Sequence, residues 1–278
     1  MRFSIVTPSF RNSNWLRLCI ASVADQEVEA EHIVQDGGSD DGTLDWLPAD
    51  PRVKAFTEPD AGMYDAINRG LRRAQGDFCA YLNCDEQYLP GALRAVGEFF
   101  AAHPRVDIVF ADNIIIDIEG NYICHRKVLV PLKYHSWVCT LGVLSSAMFF
   151  RRSILEKHGL FFDTKWRDFG DVDWVLRALD QRVPMAVLRR FTSAFTDTGD
   201  NMNLKPNARR EAQLMLESAP LIARKLAPAL KVYHRLRRAL HGIYFQKLFS
   251  YSVYTRHSLD RRVVMRVGKP TFIWKGRM

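Results

Sequence analysis

The 278-residue chain is 47% hydrophobic and 25% charged, a globular composition with enough length for one large domain and an appendage. No run of 18 apolar residues occurs, so no transmembrane helix is expected, and residues 1–6 lack the apolar stretch and cleavage site of a signal peptide. The net charge of +8 is uneven: from Pro220 onward there are 14 Lys/Arg and one acid, Asp260, whereas the first 219 residues hold 25 basic and 30 acidic side chains.

In chain order, residues 3–7 read as a buried strand ended by Pro8. Asn12 or Ser13 can cap a helix carrying Trp15, Leu16, Cys19, Ile20 and Val23. Residues 32–35 form a second strand, which runs into the glycine-rich loop 36–43 and a short helix near 43–47. Residues 53–56 give a third strand and 64–74 a helix with Ala66, Ile67, Gly70 and Leu71 on one face. A fourth strand leads into Asn83-Cys84-Asp85-Glu86. A helix to about residue 102 and a fifth strand at 106–111 follow. This alternation implies βαβ units and a mostly parallel α/β sheet, Rossmann-like and flanked by helices. Residues 112–130 read as a hairpin or strand extension, 131–146 as a loop over the sheet, 147–150 as a strand and 151–157 as a short helix. A helix at 171–181, strands at 183–188 and 191–195, and a helical remainder from about 207, broken near Pro220 and Pro228, complete the chain. The five cysteines (Cys19, Cys79, Cys84, Cys124, Cys139) form no CxxC pair, as expected of reduced thiols in a cytoplasmic protein.

The acids collect at strand ends: Asp36 after the second strand, Asp60 after the third, Asp85 and Glu86 after the fourth. In a parallel sheet these positions share one edge, where ligands sit. Such carboxylates can accept hydrogen bonds from a base, and a hard divalent cation commonly bridges a carboxylate to phosphates. Any single one also suits an ordinary loop or cap. No GxxxxGK[ST] occurs, and no GxGxxG follows the first strand, so neither a P-loop nor a nicotinamide site is indicated.

The ordered set Thr7-Pro8-Ser9-Phe10, Asp36-Gly37-Gly38-Ser39-Asp40-Asp41-Gly42-Thr43, Glu58-Pro59-Asp60-Ala61-Gly62-Met63-Tyr64-Asp65-Ala66-Ile67-Asn68-Arg69-Gly70 and Leu82-Asn83-Cys84-Asp85-Glu86 resembles a family 2 glycosyltransferase. The resemblance spans roughly residues 3–200 and is nearest to bacterial enzymes of exopolysaccharide, capsule and O-antigen assembly. It implies the GT-A fold and inverting transfer from a nucleotide-diphosphate sugar. It further implies that Thr7, Pro8 and Ser9 line the nucleotide pocket, that Asp36 binds the base, typically uracil, and that Asp60 and Gly62 sit beside base and ribose. Asn83 and Asp85 occupy the Asp-x-Asp position, with Asp85 holding Mg²⁺ or Mn²⁺ on the diphosphate; Glu86 stands where a second Asp is frequent. An inverting transfer also needs a base for the acceptor hydroxyl. Asp171, in Phe169-Gly170-Asp171-Val172-Asp173, aligns with that base; Gly170 replaces the usual Glu, and Asp173 is the second choice. The segment 196–201 lies where the family often closes a loop over the diphosphate.

The expected organisation is a catalytic domain over 1–205 and a basic helical extension over 206–278. In the extension, Leu226, Leu230, Tyr233, Leu236 or Arg237, Leu240, Tyr244 and Leu248 fall near one helical stripe, with Arg224, Lys225, Lys231, Arg235, Arg238 and Lys247 beside the other face. Phe272 and Trp274 are flanked by Lys269, Lys275 and Arg277. Such a helix suits an anionic membrane surface, where an undecaprenyl-diphosphate-linked glycan acceptor lies, or else packs on the catalytic domain with a solvated basic face. The expected location is the cytoplasm, peripheral on the inner face of the membrane under the first of these two readings. No recognised nucleic-acid module occurs. A nucleotidyltransferase is the rival enzyme, but residues 8–14 offer only Arg11 and no glycine for a triphosphate. A non-catalytic sugar-nucleotide-binding protein is the other rival, opposed by the intact Asp85 and Asp171.

Overall fold

The computed structural model describes residues 1–199, 201 and 206–274. Lys275 and Arg277, named above, and residue 200 of the segment 196–201 lie outside them. Strand β1 (Phe3–Ser9) is buried along its whole length. Its alternate side chains serve two cores: Phe3 and Ile5 join Cys19, Val23 and Phe100, while Val6 joins Ile33, Ile67 and Trp174 on the opposite face. Burial on both faces is what a parallel sheet between helix layers requires.

Helix α1 (Ser13–Ala24), β2 (Ala30–Asp36), β3 (Lys54–Thr57), α2 (Met63–Arg73) and β4 (Phe78–Tyr81) complete the first half. Its strands run parallel in the order β3-β2-β1-β4. Ser9 lies opposite Asp36 and Asp36 opposite Thr57, so the loops leaving these three strands emerge on one edge. The second half contains β5 (Glu86–Tyr88), α3 (Ala92–Ala102), β6 (Ile108–Ile116), β7 (Tyr122–Arg126), α4 (Lys133–Val138), β8 (Met148–Arg151), α5 (Ser153–Lys157), α6 (Gly170–Asp180) and β9 (Met185–Thr196). Here β8 runs antiparallel between β4 and β6, β6 pairs parallel with β9, and β5 closes antiparallel on β9. The turn between β4 and β5 therefore bridges the two halves of the sheet.

Two local expectations change. The segment 131–146 contains α4, which buries His135 and Ser136. The two strands expected at 183–195 form the single β9, whose register against β6 shifts at Asp112.

The larger correction is in the last seventy residues. Helices α7 (Pro206–Ser218), α8 (Leu221–Lys225) and α9 (Ala227–Leu240) are followed by a β-hairpin, β10 (Phe249–Thr255) and β11 (Ser258–Val267). Gly242, at φ 63°, marks the left-handed exit from α9, so Tyr244 and Leu248 do not continue the helical stripe. The hairpin docks on the main sheet. Tyr251, Val253 and Val267 pack with Leu89, Ile114 and Ala194. The Gln87 amide pairs with the backbone of Tyr254 in both directions, at 3.0 and 2.8 Å. Arg262 forks onto Asp25 of the α1 C-terminus at 2.6 and 2.7 Å, a bidentate pair with the guanidinium mostly buried.

Candidate active site

At the carboxyl edge of β1 and β4 lies a cleft of about 750 Å³. Pro8 and Ser9 contribute from β1, Asp60 and Gly62 from the loop after β3, Asn83 and Asp85 from the β4–β5 turn, and Asp171 from the first turn of α6. Seven of the expected site residues therefore meet in one cavity, from four separate chain segments.

Thr7 and Asp36 do not line it. Both are fully buried. Thr7 Oγ1 shares a 2.8 Å hydrogen bond with His32 Nε2, and burial drives that imidazole down to about 3, leaving it neutral. Asp36 Oδ1 accepts the backbone N–H groups of Gly38 and Ser39 at 2.9 and 2.7 Å; its Oδ2 accepts the hydroxyls of Ser9 and Ser39, each at 2.8 Å. Asp36 thus ties the glycine-rich loop to the end of β1 and sets the position of Ser9.

The β4–β5 turn is closed by its own acid. Asn83 N–H donates to Glu86 Oε2 at 2.9 Å, and Glu86 N–H donates to Asn83 O at 3.1 Å. Glu86 is fully buried; burial first, and the charge of Asp85 second, push its carboxyl well above the ordinary range. Glu86 is the turn's brace rather than a cleft residue. Asp85 faces the cleft, and burial raises its carboxyl too. The Asn83 Oδ1 is buried with no hydrogen-bonding partner among the described residues.

This donor set fits a hard cation: one carboxylate and one orphaned amide oxygen, both at a single turn. Among the described residues no cluster of three His, Cys, Asp or Glu side chains occurs, so the protein would supply only part of a coordination shell. That suits Mg²⁺ or Mn²⁺ shared with substrate phosphates. The rest of the lining is consistent. It holds four aspartates (Asp60, Asp85, Asp168, Asp171) and, among the described residues, no Lys, Arg or His.

The profile of glycosyl transferase family 2 matches residues 4–159. The chain belongs to this family. A PGL/p-HBAD biosynthesis glycosyltransferase of Mycobacterium bovis (strain BCG / Pasteur 1173P2) is 34% identical over 186 residues, covering 63% of this chain and 68% of that protein. A glycosyltransferase of Mycobacterium tuberculosis (strain H37Rv) is 26% identical over 213 residues, covering 74% and 79%. Among solved structures, residues 1–349 of S. aureus TarS in complex with UDP-GlcNAc superpose with a TM-score of 0.59 at 17% identity, covering 86% of this chain and 72% of that one. A mannosyltransferase of Pyrobaculum calidifontis, with GDP-Man and Mn²⁺, gives a TM-score of 0.55 at 16% identity over 86% and 78%. The match spans 43% of the longer TarS chain. The fold is GT-A, and the chain is a glycosyltransferase.

In the transferase, one wall of the cleft is built around the start of α6. Asp171 N–H donates to the buried Tyr64 hydroxyl at 3.1 Å, and its Oδ1 accepts the Val172 N–H at 2.8 Å. Burial pushes the Asp171 carboxyl up to about 6; the Val172 N–H opposes this, and the charge of Asp168 adds to it. The glycine at 170 has a packing cause. A Cβ there would stand 2.5 Å from the Tyr64 ring, so no side chain fits while Tyr64 holds Asp171. Asp173 instead pairs with Arg177 at 2.7 Å, within the helix.

The sequence reading missed Asp168, Ser145, Phe195 and Trp274, all on the cleft wall. Asp168 precedes Asp171 by three residues at a helix start, a spacing that could have flagged it. Trp274 could not have been found that way. It arrives from the far C-terminal segment and donates through Nε1 to Asp197 Oδ2 at 2.7 Å.

Proposed function

We propose that this transferase moves a sugar, with inversion, from a nucleotide-diphosphate donor (UDP favoured) to a hydroxyl of a glycan on a lipid carrier, in cell-surface polysaccharide assembly. The observation that carries this reading is the four-aspartate cleft with no basic lining among the described residues. A diphosphate cannot sit there without a counter-charge, so donor binding requires a cation. TarS and the Pyrobaculum calidifontis mannosyltransferase bind UDP-GlcNAc and GDP-Man, the latter with Mn²⁺. Asp85 and Asn83 would hold Mg²⁺ or Mn²⁺, which when bound offsets the charge developing on the departing diphosphate. Ser9, Pro8, Asp60 and Gly62 flank the nucleoside, with Asp36 and Thr7 fixing that wall from behind. Asp171 accepts the proton of the attacking hydroxyl; its carboxyl value near 6 keeps it ionised yet basic at neutral pH.

The test is a thermal-shift panel of UDP-, GDP- and dTDP-sugars with and without Mn²⁺. At a hundredfold excess over Kd, a bound donor stabilises by about 2.7 kcal/mol, roughly 5–10 °C for a domain of this size. The shift is expected only with metal and nucleotide together, and largest for a UDP-sugar. Equal shifts without metal would overturn the metal role.

Residues 1–205 form the catalytic unit in this reading, and 206–278 connect it to the inner face of the membrane. Among the described residues no helix is long and apolar enough to cross a bilayer. Helix α9 instead has two faces. One packs on α4, where the rings of His135 and His234 stack with centroids 3.9 Å apart. The other exposes Val232, Tyr233, Leu236 and Leu240, beside Lys231 and Arg235. An exposed apolar stripe with basic flanks matches an anionic lipid surface. The full chain is expected to float with phosphatidylglycerol vesicles. Val232→Asp with Leu236→Asp should remove flotation while leaving donor hydrolysis intact. Equal flotation of variant and parent rejects the membrane role.

A further inference from the structure

Glu211 belongs to α7, outside the matched family segment, and is 2% exposed. Its carboxylate receives three consecutive backbone N–H groups from a loop more than forty residues earlier. Arg167 N–H donates to Oε1 at 2.9 Å, with a longer 3.2 Å approach to Oε2. Asp168 and Phe169 N–H donate to Oε2 at 2.9 and 3.1 Å. Asn207, one turn earlier on α7, donates its amide to Glu211 Oε1 at 2.9 Å and to Asp168 Oδ2 at 2.5 Å. Burial would raise the Glu211 carboxyl, but these donors outweigh it and hold the group below its ordinary range.

Successive N–H groups converging on one anion form a nest, and bonds to an ionised acceptor are roughly twice as strong as neutral ones. The nest lies where α6 begins. That helix has no side-chain cap of its own: Phe169 is the N-cap residue and makes no capping bond. Glu211 therefore fixes, from a distant segment, the backbone that a local Ser, Thr or Asp would ordinarily fix. The fixed residues are those that carry Asp168 and lead directly into Gly170 and Asp171.

We infer that Glu211 is a positioning residue for the acceptor half of the cleft: it locks residues 167–169 so that the Asp171 carboxylate is held in its reactive placement, which makes α7 part of the catalytic device. The inference rests on the reading of Asp171 as the base. The groups that hydrogen-bond to Glu211, from Arg167, Asp168, Phe169 and Asn207, lie away from the nucleotide side of the cleft, so its effect falls on turnover and not on donor affinity. A displacement of about 1 Å at a reacting group costs on the order of 10²-fold in rate.

The experiment uses the full chain and the UDP-sugar giving the largest thermal shift with Mn²⁺, with UDP release to water as the readout. Glu211→Gln presents an amide NH₂ to donors that need an acceptor; it should lower kcat on the order of 10²-fold, with donor Kd within about twofold. Glu211→Asp keeps both oxygens and should recover part of the loss. In an Asp171→Asn background, Glu211→Gln should cost less than about twofold more, because coupled residues are not additive. Asn207→Ala, a surface-proximal change that leaves the nest occupied, gives a milder version of the same kcat-only loss if Glu211→Gln does not fold.

Parallel loss of donor binding and kcat, or a full multiplicative loss in the Asp171→Asn background, would show Glu211 to be merely structural. If Asp171→Asn loses turnover while Glu211→Gln and Asn207→Ala keep it, the positioning role fails alone. If Asp171→Asn itself keeps turnover, the base assignment fails first.

Discussion

Asp85→Ala is expected to abolish the Mn²⁺-dependent thermal shift by UDP-sugars, reducing a gain of roughly 5–10 °C to within about 1 °C of zero. The expectation follows from what remains in the cleft after the change. Asp60, Asp168 and Asp171 still face the cavity, and among the described residues no basic side chain lines it. A diphosphate entering without a cation meets only like charge. Asn83 offers one neutral oxygen, which cannot hold a divalent ion by itself. The fold should survive, because the Asp85 side chain accepts only a long 3.3 Å approach from the Asn201 amide among the described residues. Apo melting temperatures of parent and variant should therefore stay close, separating loss of the site from loss of structure. A variant that still shifts with donor and Mn²⁺ as the parent does would remove Asp85 from the metal site.

Asp171→Asn is expected to leave that thermal shift intact while UDP release falls by on the order of 10²–10⁴-fold. The amide keeps the shape, and the backbone bond from Asp171 to Tyr64 is untouched, so the donor half sees no change. What is lost is the only function a carboxylate has over an amide here, acceptance of a proton. The pH profile gives an independent check. Turnover by the parent should rise with pH through about 6, as the base ionises. The residual activity of the variant should lack that limb. Stability moves oppositely. The folded carboxyl titrates above the ordinary Asp value, so its contribution to stability is complete below the unfolded value and is lost as pH rises through about 6. Relative to the parent, Asp171→Asn should therefore be more stable at pH 8 than at pH 4. A variant with unchanged turnover would place the base elsewhere.

The parallel half of the sheet was legible because its information is local. The runs at 3–7, 32–35 and 78–81 alternate with helices in the period expected, and the acids at their ends fall on one edge by topology alone. Thr7 and Asp36 show the limit of that logic. A position at a strand end fixes the edge, not whether the side chain points into the cleft or behind it, and hydrogen bonds to His32 and to the Gly38–Ser39 backbone turned both inward. Glu211 and Trp274 reach the site from segments with no local signal for it, so only tertiary contact reveals them. The hairpin was a different failure. Residues 249–255 alternate as a strand should, but a helical stripe extended through Tyr244 and Leu248 masks them; the chain leaves the helix earlier, at the left-handed Gly242.

The docked hairpin has a consequence for the order of events during synthesis. Asp25 and Arg262 are 237 positions apart, yet their pair closes over α1 and β5. A ribosome making this chain has released the whole sheet before the strands that cover Leu89, Ile114 and Ala194 exist. Until then, the growing protein presents a sticky apolar face beside the very turn that carries Asp85. Long-range closure of this kind is slow and exposes intermediates to aggregation. Nascent chains stalled before residue 249 should therefore lean on chaperones far more than finished ones, even though the family-matched segment is already complete.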